Sequence, residues 1–339
     1  MKSRSTIGFA LVCSSALLSV ACSSTPATNE NSGGAGGDES WSGGSGGVGG
    51  AGVGGGGTAG GSVTPTMGCG TAAKDADETY VQIPVTVNGS TATRQFFISI
   101  PPGYDNQLPN RLIVGLHGRD YTGSKMKSYL ALEKAPVEAM ANEIFVYPDA
   151  LQRDWGSWGP AIGWQLGPGA ADTNAKGEED VAFIDAMIDY MKKNYCIDAD
   201  RVFVTGQSWG GDFSSALACL RGDVFRASVP VAANGIYYLQ SPTVVCQGSA
   251  AIWEMHGKGD PYFDITLGEE VRDYWIGQNQ CSSMFTDLGI TLASGSAEDC
   301  VEYSGCKDVV RYCAYDAQFG HQVPDDYYAV ETMKFFRSF

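Results

Sequence analysis

Gly206-Gln-Ser-Trp-Gly210 sets a serine between two glycines, directly after the apolar run "RVFVT" and shortly before "FSSALACL" (213 to 220). At a strand-to-helix junction a G-x-S-x-G turn lifts the serine hydroxyl above the sheet, and the crowding there demands residues without Cβ on both sides. The chemistry on offer is attack of Ser208 Oγ on a carbonyl carbon. A serine hydroxyl is a poor nucleophile unaided, so a general base and an acid to orient it must follow in the chain. His321, in the polar loop "QFGHQVPDD" after the last strand-like run "VVRYCAY", has the position of the base. His117 and His256 instead end apolar runs and read as structural. Asp260, in the turn that closes "AAIWEMHGKGDPYFD", is the candidate acid, with Asp264 as the alternative. An acyl intermediate also needs two backbone N–H donors for its oxyanion: Trp209, next after the nucleophile, and one from the loop His117-Gly118-Arg119, around Arg119.

The elements that must hold these residues can be read from periodicity. "YVQIPVTVNG" and "TATRQFFISIPPGY" are rich in β-branched and aromatic residues and meet at Asn88-Gly89, the mark of a two-residue hairpin. "RLIVGLHG" (111 to 118), "NEIFVYPD" (142 to 149), "RVFVTG" (201 to 206), "FRASVPVA" (225 to 232) and "AAIWEMHG" (250 to 257) are short runs, apolar on both faces. Such runs suit a buried parallel sheet. Over 178 to 195, Val181, Ile184, Ile188 and Met191 recur at three- and four-residue steps; acidic residues open the segment and lysines close it, which predicts a helix. Together these elements predict an α/β sandwich with a mostly parallel central sheet, helices on both faces and the site at the strands' carboxyl ends.

"DWGSWGPAIGW" (154 to 164) places Trp155, Trp158 and Trp164 close together, separated by glycines, a serine and a proline that break both the helical and the strand period. The segment therefore reads as a loop whose three tryptophans form a substrate wall, offering flat faces to an aromatic acyl group or a sugar ring.

The remainder of the chain bounds the setting. With 22 basic against 38 acidic residues the net charge is −16, and no basic cluster opposes it, which argues against nucleic-acid binding. Lys2 and Arg4 precede an apolar stretch from Ile7 to Val20 that is too short to span a bilayer; residues 1–21 read as a signal peptide. "LSVAC" (18 to 22) resembles a bacterial lipobox, with Leu18 one position further from the cysteine than usual, so Cys22 is the candidate lipidation site and a membrane anchor. Residues 22–66, Ser/Gly-rich and nearly without apolar side chains, read as a flexible linker, leaving 67–339 as the folded domain. A Gly44-x-Gly46-x-x-Gly49 match inside it has no strand before it and no helix after it, and is an accident of composition. Setting aside Cys13 and Cys22 leaves an even set of eight cysteines; with no CxxC pair and three histidines in all, disulfides are expected rather than zinc.

"LHGRD", "YPDALQRDWGSWGPAIGW", "EEDVAFIDAMIDYMKKNYCIDADRVFVTGQSWGG", "MHGKGDPYFD" and "FGHQVP" follow one another in an order and spacing that resembles secreted feruloyl esterases and polyhydroxybutyrate depolymerases, a group of α/β-hydrolases. Over about residues 75 to 339 the resemblance implies an exported serine esterase in which Ser208 is the nucleophile, Asp260 the acid and His321 the base. Members often carry Trp-Pro after the histidine motif, where this chain has Gln322-Val323-Pro324. The implied substrate is a polymer-linked ester, first a feruloyl ester of plant-wall xylan; polyhydroxybutyrate and acetylated xylan are the alternatives. No cofactor is implied, and a monomer is expected. The reading from another class, a non-catalytic polysaccharide-binding surface lipoprotein, has against it that such scaffolds usually lose the serine or the histidine. The anchoring expectation predicts a mature N-terminus at a diacylated Cys22. Intact-mass analysis showing an unmodified N-terminus elsewhere would refute it.

Overall fold

The computed structural model describes residues 63–135, 142–166, 179–236, 238–239 and 244–339. The signal segment, Cys22 and the linker up to residue 62 lie outside the described residues. The folded part starts a little earlier than composition suggested. Thr66 N–H donates to the Ile197 carbonyl (3.0 Å), Thr64 N–H donates to Asp198 Oδ1 (3.0 Å), and Pro65 bridges to Asp198. Residues 63–66 (Val-Thr-Pro-Thr) are too few to show a period, yet the backbone groups of Thr64 and Thr66 are paired with the body.

Ten strands form one sheet. The hairpin β1 (Thr79–Val87) and β2 (Ser90–Ser99) turns at Asn88 and Gly89, both at positive φ, as the Asn-Gly pair predicts. Next come β3 (Asn110–Leu116) and β4 (Glu143–Pro148), then a separate small hairpin of β5 (Leu151–Asp154) and β6 (Pro160–Gly163). The sheet continues with β7 (Ile197–Gln207), β8 (Ala227–Val231), β9 (Ala251–Gly257), β10 (Phe285–Asp287), β11 (Asp299–Tyr303) and β12 (Val310–Tyr315). Its order is β1-β2-β4-β3-β7-β8-β9-β12-β11-β10. The six inner strands from β4 to β12 are parallel, and antiparallel pairs flank them at both ends. β10 and β11 had no counterpart in the sequence reading: β10 is three exposed residues at an edge, too short for a period to show.

The helices are α1 (Gly123–Leu130), α2 (Glu179–Asn194), α3 (Trp209–Leu220), α4 (Ile265–Gln278) and α5 (Tyr328–Arg337). Strand alternation divides the core between two faces. Val202 and Val204 of β7 join Val181, Phe213 and Val271 from α2, α3 and α4, while Phe203 joins Met126 of α1 and Phe336 of α5 on the other side. Both faces are covered, which is why the inner strands read as unbroken apolar runs.

The eight remaining cysteines form four disulfides: Cys69–Cys196, Cys219–Cys246, Cys281–Cys306 and Cys300–Cys313. Cys69–Cys196 pins the N-terminal segment beside β7, and Cys300–Cys313 staples the outer strand β11 to β12. Thiol titration of the denatured, unreduced domain should therefore find no free cysteine. Replacing Cys69 and Cys196 together by serine should cost about 2–4 kcal/mol in chemical unfolding, as expected for closing a long loop. Several titratable thiols, or no loss, would contradict this pairing.

Candidate active site

Ser208 sits between β7 and α3 with φ 58° and ψ −126°, a conformation costing a non-glycine residue on the order of 1–3 kcal/mol. Two close approaches hold it there. A Cβ on Gly206 would lie 2.4 Å from the Gly210 carbonyl oxygen, and one on Gly210 would lie 2.2 Å from that of Leu116 in β3. Ser208 N–H donates to the Val231 carbonyl at the end of β8 (2.9 Å), and Asp212 N–H donates to that of Ser208 (2.9 Å), starting α3. Trp209 opens α3, so its N–H belongs to the four helix donors with no acceptor inside the helix.

His321 lies on the loop after β12. Its Nε2 is 2.9 Å from Ser208 Oγ and its Nδ1 is 2.6 Å from Asp260 Oδ2. That geometry assigns the proton to Nδ1 and leaves Nε2 to accept from the serine hydroxyl. Gln207 Nε2–H donates to the His321 carbonyl (2.5 Å), tying the loop to the turn that carries Ser208. Phe263 and Tyr262 each stand edge-on to the imidazole at a centroid distance of 5.1 Å.

Asp260 is fixed by its own turn, where Tyr262 and Phe263 N–H donate to Oδ1 at 2.8 and 2.9 Å. Burial works to raise its carboxyl, but the hydrogen bonds from His321, Phe263 and Tyr262 outweigh burial and hold it below the usual carboxylate range. Its ionised form therefore contributes stability at neutral pH that is lost only as pH falls through that lowered value. Asp264, the other candidate acid, is accounted for elsewhere: exposed, it caps α4 by accepting from Thr266 N–H (3.0 Å) and Oγ1–H (2.8 Å). The structure thus brings together Ser208, His321 and Asp260, and not Asp264.

The loop 117–119 closes over Ser208 from β3. A Cβ on Gly118 would lie 3.2 Å from Ser208 Cβ, so glycine allows the approach an oxyanion donor requires. Arg119 turns its guanidinium to the Trp158 carbonyl (2.8 Å) and over the Trp209 ring (5.4 Å to the centroid). His117 is buried: its Nε2 accepts from Ala150 N–H (3.0 Å) and its Nδ1 faces the Gly118 carbonyl (2.7 Å), a structural part as its position suggested.

The tryptophan segment differs from its sequence reading. It is the β5–β6 hairpin, not a loop without strands, because Pro160 heads a short strand and needs no ladder N–H there. A buried Arg153 anchors it, donating to the Gly163 carbonyl (2.7 Å) and pairing with Asp180 of α2 (3.0 Å). Asp120 clamps it to the 117–119 loop, exchanging backbone and side-chain hydrogen bonds with Ile162. The three tryptophans separate accordingly. Trp158, 58 % exposed at the hairpin tip, lines the cavity. Trp155 is half-buried against Trp209 (centroids 5.0 Å) and supports the site from behind. Trp164 is 1 % exposed, stacked on Phe213 with its N–H on the His117 carbonyl (2.7 Å), so it is core and not a wall. A ring at the far end of a strand facing α3 has nowhere to point but inward.

A cavity of about 510 Å³ opens on Ser208, walled chiefly by Tyr121, Met126, Tyr129, Trp158, Tyr262 and Phe263. Except for Trp158, these walls escaped the sequence reading. Tyr262 and Phe263 sit in the quoted run "GDPYFD", where aromatics following a candidate acid were the signal; Met126 and Tyr129 belong to a helix not foreseen, and Tyr121 to the loop just before it.

A family model described as the prolyl oligopeptidase family matches residues 170–242. Feruloyl esterase C of Emericella nidulans is 31 % identical over 270 residues, covering 77 % of this chain and 87 % of that protein. Poly(3-hydroxyalkanoate) depolymerase C of Paucimonas lemoignei is 27 % identical, covering 57 % of this chain and 48 % of its own length. Among solved structures, the acetyl xylan esterase from Aspergillus awamori shares the fold at a TM-score of 0.52 and 15 % identity, over 77 % of this chain and all of that one. The sheet order, the serine at its elbow and this relationship lead to one conclusion: the chain belongs to the feruloyl esterase family of α/β-hydrolases.

Proposed function

We propose that the protein is an exported serine esterase that cleaves feruloyl-type esters of plant-wall polysaccharide through an acyl-enzyme. The observation that carries this reading is the unbroken line from Ser208 Oγ through His321 to Asp260, opening into an aromatic-walled cavity. The four disulfides suit an oxidising compartment. The linker and Cys22 would hold the enzyme at a membrane surface while letting it reach a solid substrate.

In the mechanism, His321 Nε2 takes the proton from Ser208 Oγ as that oxygen bonds to the ester carbonyl carbon. The negative charge on the carbonyl oxygen is met by the N–H of Trp209 and by one from the loop around Arg119. His321, now an imidazolium stabilised by Asp260, gives the proton to the leaving alcohol oxygen as the ester bond breaks. Water then attacks the acyl-serine by the same route in reverse, releasing the acid and restoring Ser208. Only this chain's own groups take part.

The aromatic acyl group is the favoured substrate because the cavity walls are rings. Trp158 and Tyr121 offer faces, and Met126 a polarisable contact. Aliphatic polyester hydrolysis, the second reading, draws on the kinship with the depolymerase.

Two tests follow. Ser208→Ala and His321→Ala should each abolish fluorophosphonate labelling and lower kcat by about 10⁴-fold or more while leaving the melting curve in place, because the members act as a unit. Asp260→Asn should be severely impaired and Asp264→Asn nearly normal. Normal turnover by Ser208→Ala, or the reverse order of the aspartates, would sink the assignment. The second test separates wall from core. Trp158→Ala should raise KM for methyl ferulate several-fold more than for a small acetate ester, with little change in Tm. Trp164→Ala should instead cost about 3–5 kcal/mol of stability, as for other buried large-to-small changes. Equal losses on both esters with Trp158→Ala would remove the support for an aromatic acyl group.

A further inference from the structure

A second imidazole, not used in the reaction above, lies on the inner side of the Asp260 turn. His256, near the end of β9, has no exposed surface. Its Nε2 is 2.9 Å from the Phe263 carbonyl oxygen and 3.7 Å from Asp260 Oδ2, while its Nδ1 faces Glu254 Oε1 at 3.6 Å. Both ring nitrogens therefore meet only acceptors: a carbonyl on one side, carboxylates on both. Glu254 is equally buried on the same strand, two residues away and on the same face. The pair is sealed from above by α4, where a Cβ on Gly268 would lie 2.5 Å from His256 Cβ and Cγ.

We propose that His256 is a positioning residue for the triad, held as an imidazolium by Glu254, whose N–H fixes the 260–263 turn and whose charge tempers the pull of Asp260 on the His321 proton. The proposal rests on the esterase reading for the roles of Asp260 and His321. Its first half follows from connectivity. Phe263 receives His256 Nε2–H on its carbonyl and gives its own N–H to Asp260 Oδ1 (2.9 Å), so the buried ring and the acid share one peptide turn. The second half follows from charge. His256 Nε2 (3.7 Å) and His321 Nδ1 (2.6 Å) face the same oxygen, Asp260 Oδ2, so a cation at His256 offsets part of the carboxylate's field, while Glu254 lies on the other ring nitrogen.

The other groups around the pair do not cancel this arrangement. From α3, Asp212 is buried, and burial together with the charge of Glu254 pushes its carboxyl up to about 8 against the bond from Asn234 N–H; it stays protonated at neutral pH. From β12, Tyr312 and Tyr315 are raised, first by burial and then by Glu254 and Asp260 respectively, and remain neutral phenols. Arg272 of α4 lies over the Tyr312 ring, 5.0 Å from its centroid, and Asp264 is exposed at the start of α4. Burial on its own lowers His256, but Glu254, the Phe263 carbonyl and Asp260 together raise it. Burial also pushes the Glu254 carboxyl up, to about 7, against the bond and charge of His256, so the pair is ionised only through the mutual attraction of the two groups.

The test compares the wild type with Glu254→Gln, His256→Gln and the double variant. Each is scored by Tm and by the pH dependence of kcat/KM on p-nitrophenyl acetate. His256→Gln keeps an N–H donor for Phe263 but removes the charge; Glu254→Gln removes the anion that keeps the ring charged. Both singles should move the acid limb of the profile to higher pH by roughly 0.5–1, and the double should move it no further than either one. A structural role alone would lower Tm and kcat and leave the limb in place, and that result would overturn the proposal. So would shifts that add in the double variant. The ¹⁵N shifts of His256 in the wild type provide a readout that needs no substrate and no variant. A ring charged at pH 7 is expected, and a neutral ring at pH 7 would refute the proposal. A wild type inactive on every ester would bring down the esterase reading, while the ¹⁵N shifts would still decide the state of His256.

Discussion

Everything in the site depends on one steric constraint, the contact of the turn at Ser208 with the strand beside it. β7 must reverse into α3 within a few residues while Leu116 at the end of β3 and His117 just after it pass alongside, and only hydrogen fits at positions 206 and 210. Satisfying that contact forces Ser208 into a left-handed conformation that a serine would not choose, and the strain is held by the hydrogen bond to Val231 and by α3 beginning at the next residue. In return the hydroxyl, the first N–H of α3 and the 117–119 loop are set around one point without any side chain having to be ordered for the purpose. The cost of organising the site is met by the packing of β3, β7 and β8 at the centre of the sheet.

His321 and Asp260, the proposed base and acid, are held differently, on loops, and each loop is fastened by its own short hydrogen bonds. Gln207 holds the backbone of His321, and the turn N–H groups of Tyr262 and Phe263 hold Asp260. The cavity walls lie on α1 and the loop before it, on the β5–β6 hairpin and on the turn after Asp260. This division lets walls vary while the reacting groups stay fixed, since a change at Trp158 disturbs no bond that positions Ser208. Trp155 and Trp164 show the opposite arrangement. Their rings support Trp209 and the His117 carbonyl, so they act on the site through packing and not by touching a ligand.

How much of this could be read from residues alone follows from the same physics. The inner strands, the Asn88-Gly89 hairpin, α2 and the elbow were legible because burial on both faces, a two-residue turn and an amphipathic period are local properties of sequence. The choice of Asp260 over Asp264 was not: both follow the same strand, and only the turn geometry shows that one faces His321 while the other caps a helix. The tryptophan segment misled for a related reason. Glycine and proline break a period, but a four-residue strand has no period to break, and the fate of each indole was settled by what lay opposite it. β10 and β11 were missed because a three-residue exposed edge strand and its polar partner are defined by pairing, not by composition. The pairing of the cysteines was likewise open, since loop closure between residues as distant as 69 and 196 is a property of the finished fold.

A sheet this large with so many parallel strands concentrates its order at the centre and leaves its margins dependent on other devices. Cys69–Cys196 ties the N-terminal segment to the start of the central strand β7, and at the β10 margin Cys300–Cys313 and Cys281–Cys306 secure the antiparallel strands outside β12. His321 follows β12, the last parallel strand, and Asp260 follows its neighbour β9, so both residues belong to the side of the sheet nearer these outer bridges. A change that loosened β11 and β12 would therefore reach the site through the position of His321 before it reached the elbow. The elbow that carries Ser208, the proposed nucleophile, is held by packing, while the loops of His321 and Asp260 are held by local hydrogen bonds. The two halves meet through the contact of Ser208 Oγ with His321 Nε2 and the bond from Gln207 Nε2–H to the His321 carbonyl.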